Sequence, residues 1–235
     1  MNTPKELFIT LLRLTSKGGF TAKELLEESF LSRTQVERAL EQLAEEQLIE
    51  RKGGTFKIDP AGRVLIAAKA VRIGASVESV SRHLSWQEFE QFIEYALNIN
   101  GYVTLKHHHL KADNRRYEID IIGARSRIIV AIDCKHWSSG GKSSAIKKSA
   151  ESQLERVRTL STQQNLKAVA VRLGMELSGR LYIVPVVATL MENPAKIYSG
   201  VPIVPAYKFA RFLEEVPGYL DHLSTITLEL TGNFT

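Results

Sequence analysis

Residues 117–137 read YEIDIIGARSRIIVAIDCKHW. Two apolar runs flank a short polar centre, and each carries charge: Glu118 and Asp120 in the first, Asp133 and Lys135 in the second. Burying a charge without a partner is costly, so these groups need a reason beyond packing. Side chains alternate along a strand, which puts Glu118 with Asp120 on one face and Asp133 with Lys135 on one face. A turn centred between Ser126 and Arg127 would set residue 120 opposite residue 133 in an antiparallel hairpin, with Cβ atoms about 5 Å apart. Two carboxylates that close repel unless a proton or a cation intervenes. A hard divalent cation such as Mg2+ suits oxygen ligands, and Lys135 would stand beside it. That layout suits attack on a phosphodiester by an activated water.

The elements that must hold these residues can be read around them. Ser85 and Glu88 form a capping box that opens WQEFEQFIEYALNI. Trp86, Phe89, Ile93, Ala96 and Leu97 make the apolar stripe of that helix, with Glu90 at its margin and Glu88 and Glu94 further toward solvent. Asn100-Gly101 ends it, and YVTLKHHHL reads as a strand. The two acid-bearing runs follow, then a polar loop (HWSSGGKSS) and a long helix near 144–162. Later strands are expected at LYIVPVVATL and VPIV, with a helix at AYKFARFLEE. Helix, three strands, helix, strand is an α/β order.

The chain before Ser85 is different. KELFITLLRL has helical spacing, with Leu7, Leu11, Leu12 and Leu14 near one face. Thr21 can cap a second helix, and Ser32 with Gln35 can cap a third whose stripe is Val36, Ala39, Leu40 and Leu43. Gly53-Gly54 between two short runs signals a hairpin. Residues 4–58 resemble a winged helix-turn-helix. Its third helix carries Arg33 and Arg38 but also Glu37, Glu41, Glu45 and Glu46, which would repel phosphate. Arg51, Lys52 and Lys57 on the hairpin suit phosphate better, and the module reads either as a DNA contact or as a docking or dimerisation domain. Asp59-Pro60 starts a further helix. The expected organisation is a winged helix-turn-helix over 1–58, a helical connector over 59–84 and a nuclease domain over 85–235.

The second domain resembles the PD-(D/E)xK nuclease superfamily, which includes restriction enzymes and archaeal Holliday-junction resolvases. Asp120 matches the first acidic position, Asp133 the second and Lys135 the lysine. The helix with Phe89-Glu90, before Gly101-Tyr102, matches the one that supplies an extra glutamate in many members. The pairing of the two domains is similar to that in uncharacterised archaeal proteins. The resemblance implies a restriction-endonuclease-like core, a mixed sheet flanked by helices. It implies that Asp120, Asp133 and the backbone carbonyl of Cys134 hold Mg2+ or Mn2+, and that Glu90 binds a second ion or its water. Lys135 would orient or deprotonate the attacking water and stabilise developing charge. Gln153 matches a glutamine often found beside the site, and Arg156 could meet a phosphate; apart from the resemblance, Lys142, Lys147 and Lys148 form a basic run that reads as a solvated face or, alternatively, a phosphate track. The implied activity is metal-dependent DNA endonuclease, in repair, recombination or restriction. The alternatives are a non-cleaving DNA-binding regulator and a nuclease of structured RNA. Many members act as dimers, so a homodimer is open as well.

Other features are read more plainly. His107, His108 and His109 cannot all share a face, so a structural or phosphate-facing role is favoured over zinc. Cys134 should point to the packed face as an inert thiol. Trp137 and His136 would shape the site entrance. A single cysteine excludes an intrachain disulfide, which with the lack of a leader-like start gives the expectation of a cytoplasmic protein. No run of about 18 apolar residues appears, so no membrane partner is expected. A net charge of +5 on 235 residues permits a polyanion partner without requiring one.

Overall fold

The computed structural model describes residues 5–16, 18–112, 115–137 and 142–230. It divides into two compact units, Met1–Phe92 and Ile93–Thr235. Residues 138–141 of the polar loop lie outside the described residues.

In the first unit, α1 (Lys5–Thr15) leads to β1 (Phe20–Thr21), α2 (Ala22–Glu28) and α3 (Arg33–Glu45). Capping boxes start two of these helices, Thr21 with Glu24 and Ser32 with Gln35. The hairpin is β2 (Glu50–Lys52) and β3 (Thr55–Lys57), and the three strands run in the order β1, β3, β2. Its two-residue loop has Gly53 at φ +52° and Gly54 at φ +87°. Both central residues of such a tight turn need positive φ, which glycine adopts without penalty. Leu7, Leu11, Leu12, Phe20, Leu25, Val36 and Leu40 form the core of this part.

Asp59 caps α4 (Pro60–Arg72) by accepting from the Gly62 amide at 2.6 Å, and α5 (Val77–Ser81) follows. Arg63 is buried. It donates to Glu88 Oε1 at 2.7 Å, to the Leu12 carbonyl at 2.8 Å, to Thr15 and to the His83 carbonyl. Glu88 belongs to α6 (Trp86–Ile99). Placing Glu88 toward solvent is therefore corrected: it is buried because a guanidinium 25 positions earlier neutralises it. Glu90 is buried rather than marginal, and Trp86, expected in the apolar stripe, is half exposed.

The second unit is built on a seven-stranded mixed sheet. β4 (Val103–Ala112), β5 (Arg115–Arg125) and β6 (Ile128–Lys135) form an antiparallel meander. Two helices, α7 (Ser143–Leu160) and α8 (Gln163–Leu173), carry the chain to β7 (Gly179–Thr189), which lies parallel to β6. The sheet continues through β8 (Ile197–Tyr198) and β9 (Val201–Pro205), in the order β4-β5-β6-β7-β9-β8. α9 (Ala206–Glu215) and two 3₁₀ turns precede β10 (Ile226–Leu230), which pairs antiparallel with the start of β7. The expectation of an α/β core with a mixed sheet flanked by helices is met.

One face of the sheet packs on α7 and α8 through Ile122, Ala124, Ile129, Ala131, Val157, Leu160, Val169 and Ile183. On the other face Gly123 admits Leu97. A Cβ at residue 123 would lie 2.8 Å from Leu97 Cδ2 and 3.1 Å from Val130 Cγ2, so a larger residue there would displace these buried side chains. At the outer edge, Asn165 on α8 accepts from the Lys111 amide at 3.2 Å and donates to the Lys111 carbonyl at 3.0 Å, taking the place of a neighbouring strand there.

Candidate active site

The hairpin turn falls at Ser126-Arg127, with Ser126 at φ +55°. The register pairs Arg125 with Ile128 and runs back to Ile121 with Ile132. Continued by one step it sets Asp120 against Asp133. At that step the ladder gives way to a side chain: Asp120 Oδ2 accepts the Cys134 amide at 2.7 Å.

A second irregularity lies on the opposite side of Asp120. The β4–β5 ladder pairs Lys106 with Ile121 and His108 with Ile119 but skips His107 and Asp120, and His107 has φ +47°. Leu105 and Leu110 both pack toward α7 and α8, as do Ile122 and Ile119. The in–out alternation thus shifts by one residue between them. Glu118, expected on the face of Asp120, does not join it. Its carboxylate meets His107 Nδ1 at 3.0 Å and His109 Nδ1 at 3.9 Å. His108 is buried, 3.2 Å from Arg172 on α8. Burial, with Arg172 and His109 nearby, holds its imidazole below the usual histidine range.

Asp133 lies on the face of β6 that meets α7, and it is 1% exposed. Its Oδ1 receives Arg156 Nη1 at 2.5 Å and Lys135 Nζ at 3.0 Å. Lys135 Nζ also approaches Oδ2 at 2.9 Å, an ion contact whose angle makes no hydrogen bond. Asp133 Oδ2 is thus buried and accepts no hydrogen bond among the described residues. Gln153, fully buried on α7, donates to the Ala131 carbonyl at 2.7 Å and receives Arg156 at 3.2 Å. Burial and then the charge of Asp133 raise the Asp120 carboxyl above its ordinary value, against the opposing pull of the Cys134 amide, Lys135 and Arg156.

The structure therefore brings Asp120, Asp133, Cys134, Lys135, Gln153 and Arg156 together. Cys134 is buried. Trp137 packs against the cluster of Ile146, Ala150 and Val187. Lys142 precedes α7 and is exposed, and Lys147 is exposed and 3.9 Å from Glu151. Glu90 falls in the first unit, as do Arg51, Lys52 and Lys57 on its exposed hairpin strands. Arg51 lies over the Phe56 ring, and Lys52 is 3.1 Å from Glu50.

What the sequence reading missed is the bond between Arg156 and Asp133. The signal available was the spacing: Arg156 follows Gln153 by three on a helix, so both face the same way. Among the described residues no three His, Cys, Asp or Glu side chains converge as a metal-ligand set. Two carboxylates, one with a buried oxygen that makes an ion contact to Lys135 but no hydrogen bond and one raised above its ordinary pKa by burial and then by its neighbour, remain a fit for one hard divalent cation.

Residues 81–170 match the family model Mrr_cat, described as "Restriction endonuclease". An uncharacterized protein of Archaeoglobus fulgidus is 25% identical over 138 residues, 58% of this chain and 95% of its own length. Among solved structures, protein VC1899 from Vibrio cholerae aligns with 93% of this chain at 10% identity and a TM-score of 0.36. Can2 from Sulfobacillus thermosulfidooxidans in complex with cyclic tetra-adenylate aligns with 92% at 12% identity and a TM-score of 0.31. This chain spans about half the length of each of those two chains. Likenesses that loose carry no argument about ligand or function.

Proposed function

Residues 81–170 form a restriction-endonuclease-like domain of the PD-(D/E)xK superfamily, and from that premise we propose that the chain is a metal-dependent DNA endonuclease. The observation that supports this best is the pairing of Asp133, buried and in contact with the Lys135 ammonium, with a second carboxylate whose ionisation burial and then Asp133 oppose. Burying such a pair for stability alone is unfavourable.

Asp120 and Asp133 would hold Mg2+ or Mn2+, with the Cys134 carbonyl as a further ligand by family resemblance. When bound, the ion supplies a Lewis acid and lowers the pKa of water. The chain's own part is positional. The Cys134 amide fixes the Asp120 carboxylate. Lys135 Nζ, held by Asp133 at 30% side-chain exposure, faces the site and can donate to the attacking oxygen or to developing phosphate charge. Gln153 locks α7 against β6 and so sets the guanidinium of Arg156. Glu90 as a further ligand rests on the sequence resemblance alone. Lys142 and Lys147, and Arg51, Lys52 and Lys57 of the first unit, are assigned to phosphate contacts by charge and exposure.

The test is incubation of the purified chain with branched, single-stranded and duplex DNAs in Mg2+ or Mn2+, beside Lys135→Ala. Cleavage by the wild type alone establishes the activity. DNA bound by both and cut by neither would replace the proposal with that of a non-cleaving binding protein.

A further inference from the structure

The cluster around Asp133 is balanced in charge. With both carboxylates ionised, Asp120 and Asp133 bring two negative charges, and Lys135 and Arg156 bring two positive ones. A divalent cation entering between the carboxylates adds two positive charges to a space already neutral, in partly buried surroundings where screening is weak. Either a resident cation leaves or an anion arrives.

The two resident cations are held differently. Lys135 stands two residues from Asp133 on the same strand face, and its ammonium touches both carboxylate oxygens. Arg156 comes from another element, α7, and reaches only Oδ1. Its side chain is 22% exposed and that of Lys135 30%, so both have access to water, and what sets Arg156 apart is its separate element and its single oxygen. It also has a second acceptor, Gln153 Oε1, on its own helix, so moving away from Asp133 does not strip it of every partner. An ion that enters at Asp133 Oδ2, the oxygen without a hydrogen bond, brings its charge beside the guanidinium on Oδ1 of the same carboxylate, and the two cations repel.

We propose that Arg156 is the site's internal counter-cation: it neutralises Asp133 in the metal-free chain and is displaced from it when a divalent ion binds. The inference rests on the reading of Asp120 and Asp133 as metal ligands. It reconciles the bond to Asp133 with the assignment of Arg156 to phosphate, since the same guanidinium becomes available once the ion has taken its place. Metal and nucleic acid then bind cooperatively, each supplying the charge that the other needs.

The experiment is calorimetric titration of the full chain with Mn2+ alone, for wild type, Arg156→Gln and Arg156→Lys, with a metal-free melting curve for each. Glutamine keeps a polar side chain of helical propensity at that position but carries no charge, so it removes the competing cation. Arg156→Gln should melt about 5 °C or more below wild type without metal, because buried Asp133 is left with Lys135 as its remaining counter-charge. It should bind Mn2+ at least about tenfold more tightly. Arg156→Lys should stay near wild type in both. If wild type binds Mn2+ and Arg156→Gln binds equally or more weakly, Arg156 merely supports Asp133; the inference falls and the metal site stands. If neither wild type nor Arg156→Gln binds Mn2+, the metal reading falls and the inference with it.

Discussion

Asp120 Oδ2 accepts the backbone amide of Cys134 at 2.7 Å, where the next rung of the hairpin would have been. The carboxylate is pinned to the strand that bears its partner acid. Burial and Asp133 raise its pKa above the ordinary 3.8. A raised carboxyl keeps its proton in the folded chain after the unfolded chain has lost it. Its favourable contribution is therefore full below the ordinary value and is lost as pH rises through the raised one. Metal-free Asp120→Asn should match wild type at low pH and exceed its melting temperature at neutral pH. Asp120→Ala should fall below Asp120→Asn, because the Cys134 amide then lacks an acceptor at a cost of about 1–3 kcal/mol. Melting curves across pH decide it. An Asp120→Asn protein less stable than wild type at pH 7 would contradict the account.

Cation binding needs both carboxylates ionised, so it should strengthen as pH rises through the same window. At about a hundredfold excess over Kd, Mg2+ or Mn2+ should stabilise by about 2.7 kcal/mol, which raises Tm by about 5–10 °C. Asp120→Asn and Asp133→Asn should show no such rise. A metal-dependent shift that survives in both variants would place the ion elsewhere.

Lys135 is assigned to the reaction and not to the ion. Lys135→Met should cut DNA at least about a hundredfold more slowly while keeping the metal-dependent shift in Tm. Loss of that shift would mean that Lys135 acts by holding Asp133 in place.

Gln153 donates to the Ala131 carbonyl from a fully buried position. Gln153→Leu leaves that contact unmade and should cost about 1–3 kcal/mol, read as a lower denaturant midpoint with an unchanged slope. Gln153→Glu should be worse still, because it places a third carboxylate near Asp133.

In the first unit, Arg63→Met should cost about 3–5 kcal/mol, since it abandons Glu88 in a buried position. The double variant Arg63→Met with Glu88→Leu should recover much of that loss. Chemical denaturation of the three proteins is the check, and a double variant no better than the single would show that Arg63 acts mainly through the Leu12 and His83 carbonyls.

Much of this was legible in the chain because it is local. The caps at Asp59, Ser32 and Ser85 need only residues three positions away. The register of β5 with β6 follows from a two-residue turn and from alternation. What was not legible is set by distant partners. Glu88 looks solvated until Arg63 is placed beside it. The return of β10 to β7 joins residues more than forty apart, and nothing in ITLEL names that neighbour. The shift of alternation at His107 broke the rule that placed Glu118 with Asp120. Arg156 is the instructive case. Its type suggested a phosphate, yet in the fold it serves an acid 23 positions away.

The amide of Asn165 bears on a different property of the molecule. β4 is ten residues long and closes one end of the sheet. A long unpaired strand edge is a template on which another polypeptide can polymerise. By occupying both backbone groups of Lys111, Asn165 removes one outward donor and one outward acceptor from that edge, and the ladder break at His107 interrupts its regularity further along. The outcome expected of Asn165→Ala is therefore greater self-association at high concentration, read by light scattering, a property unconnected to any reaction the chain performs.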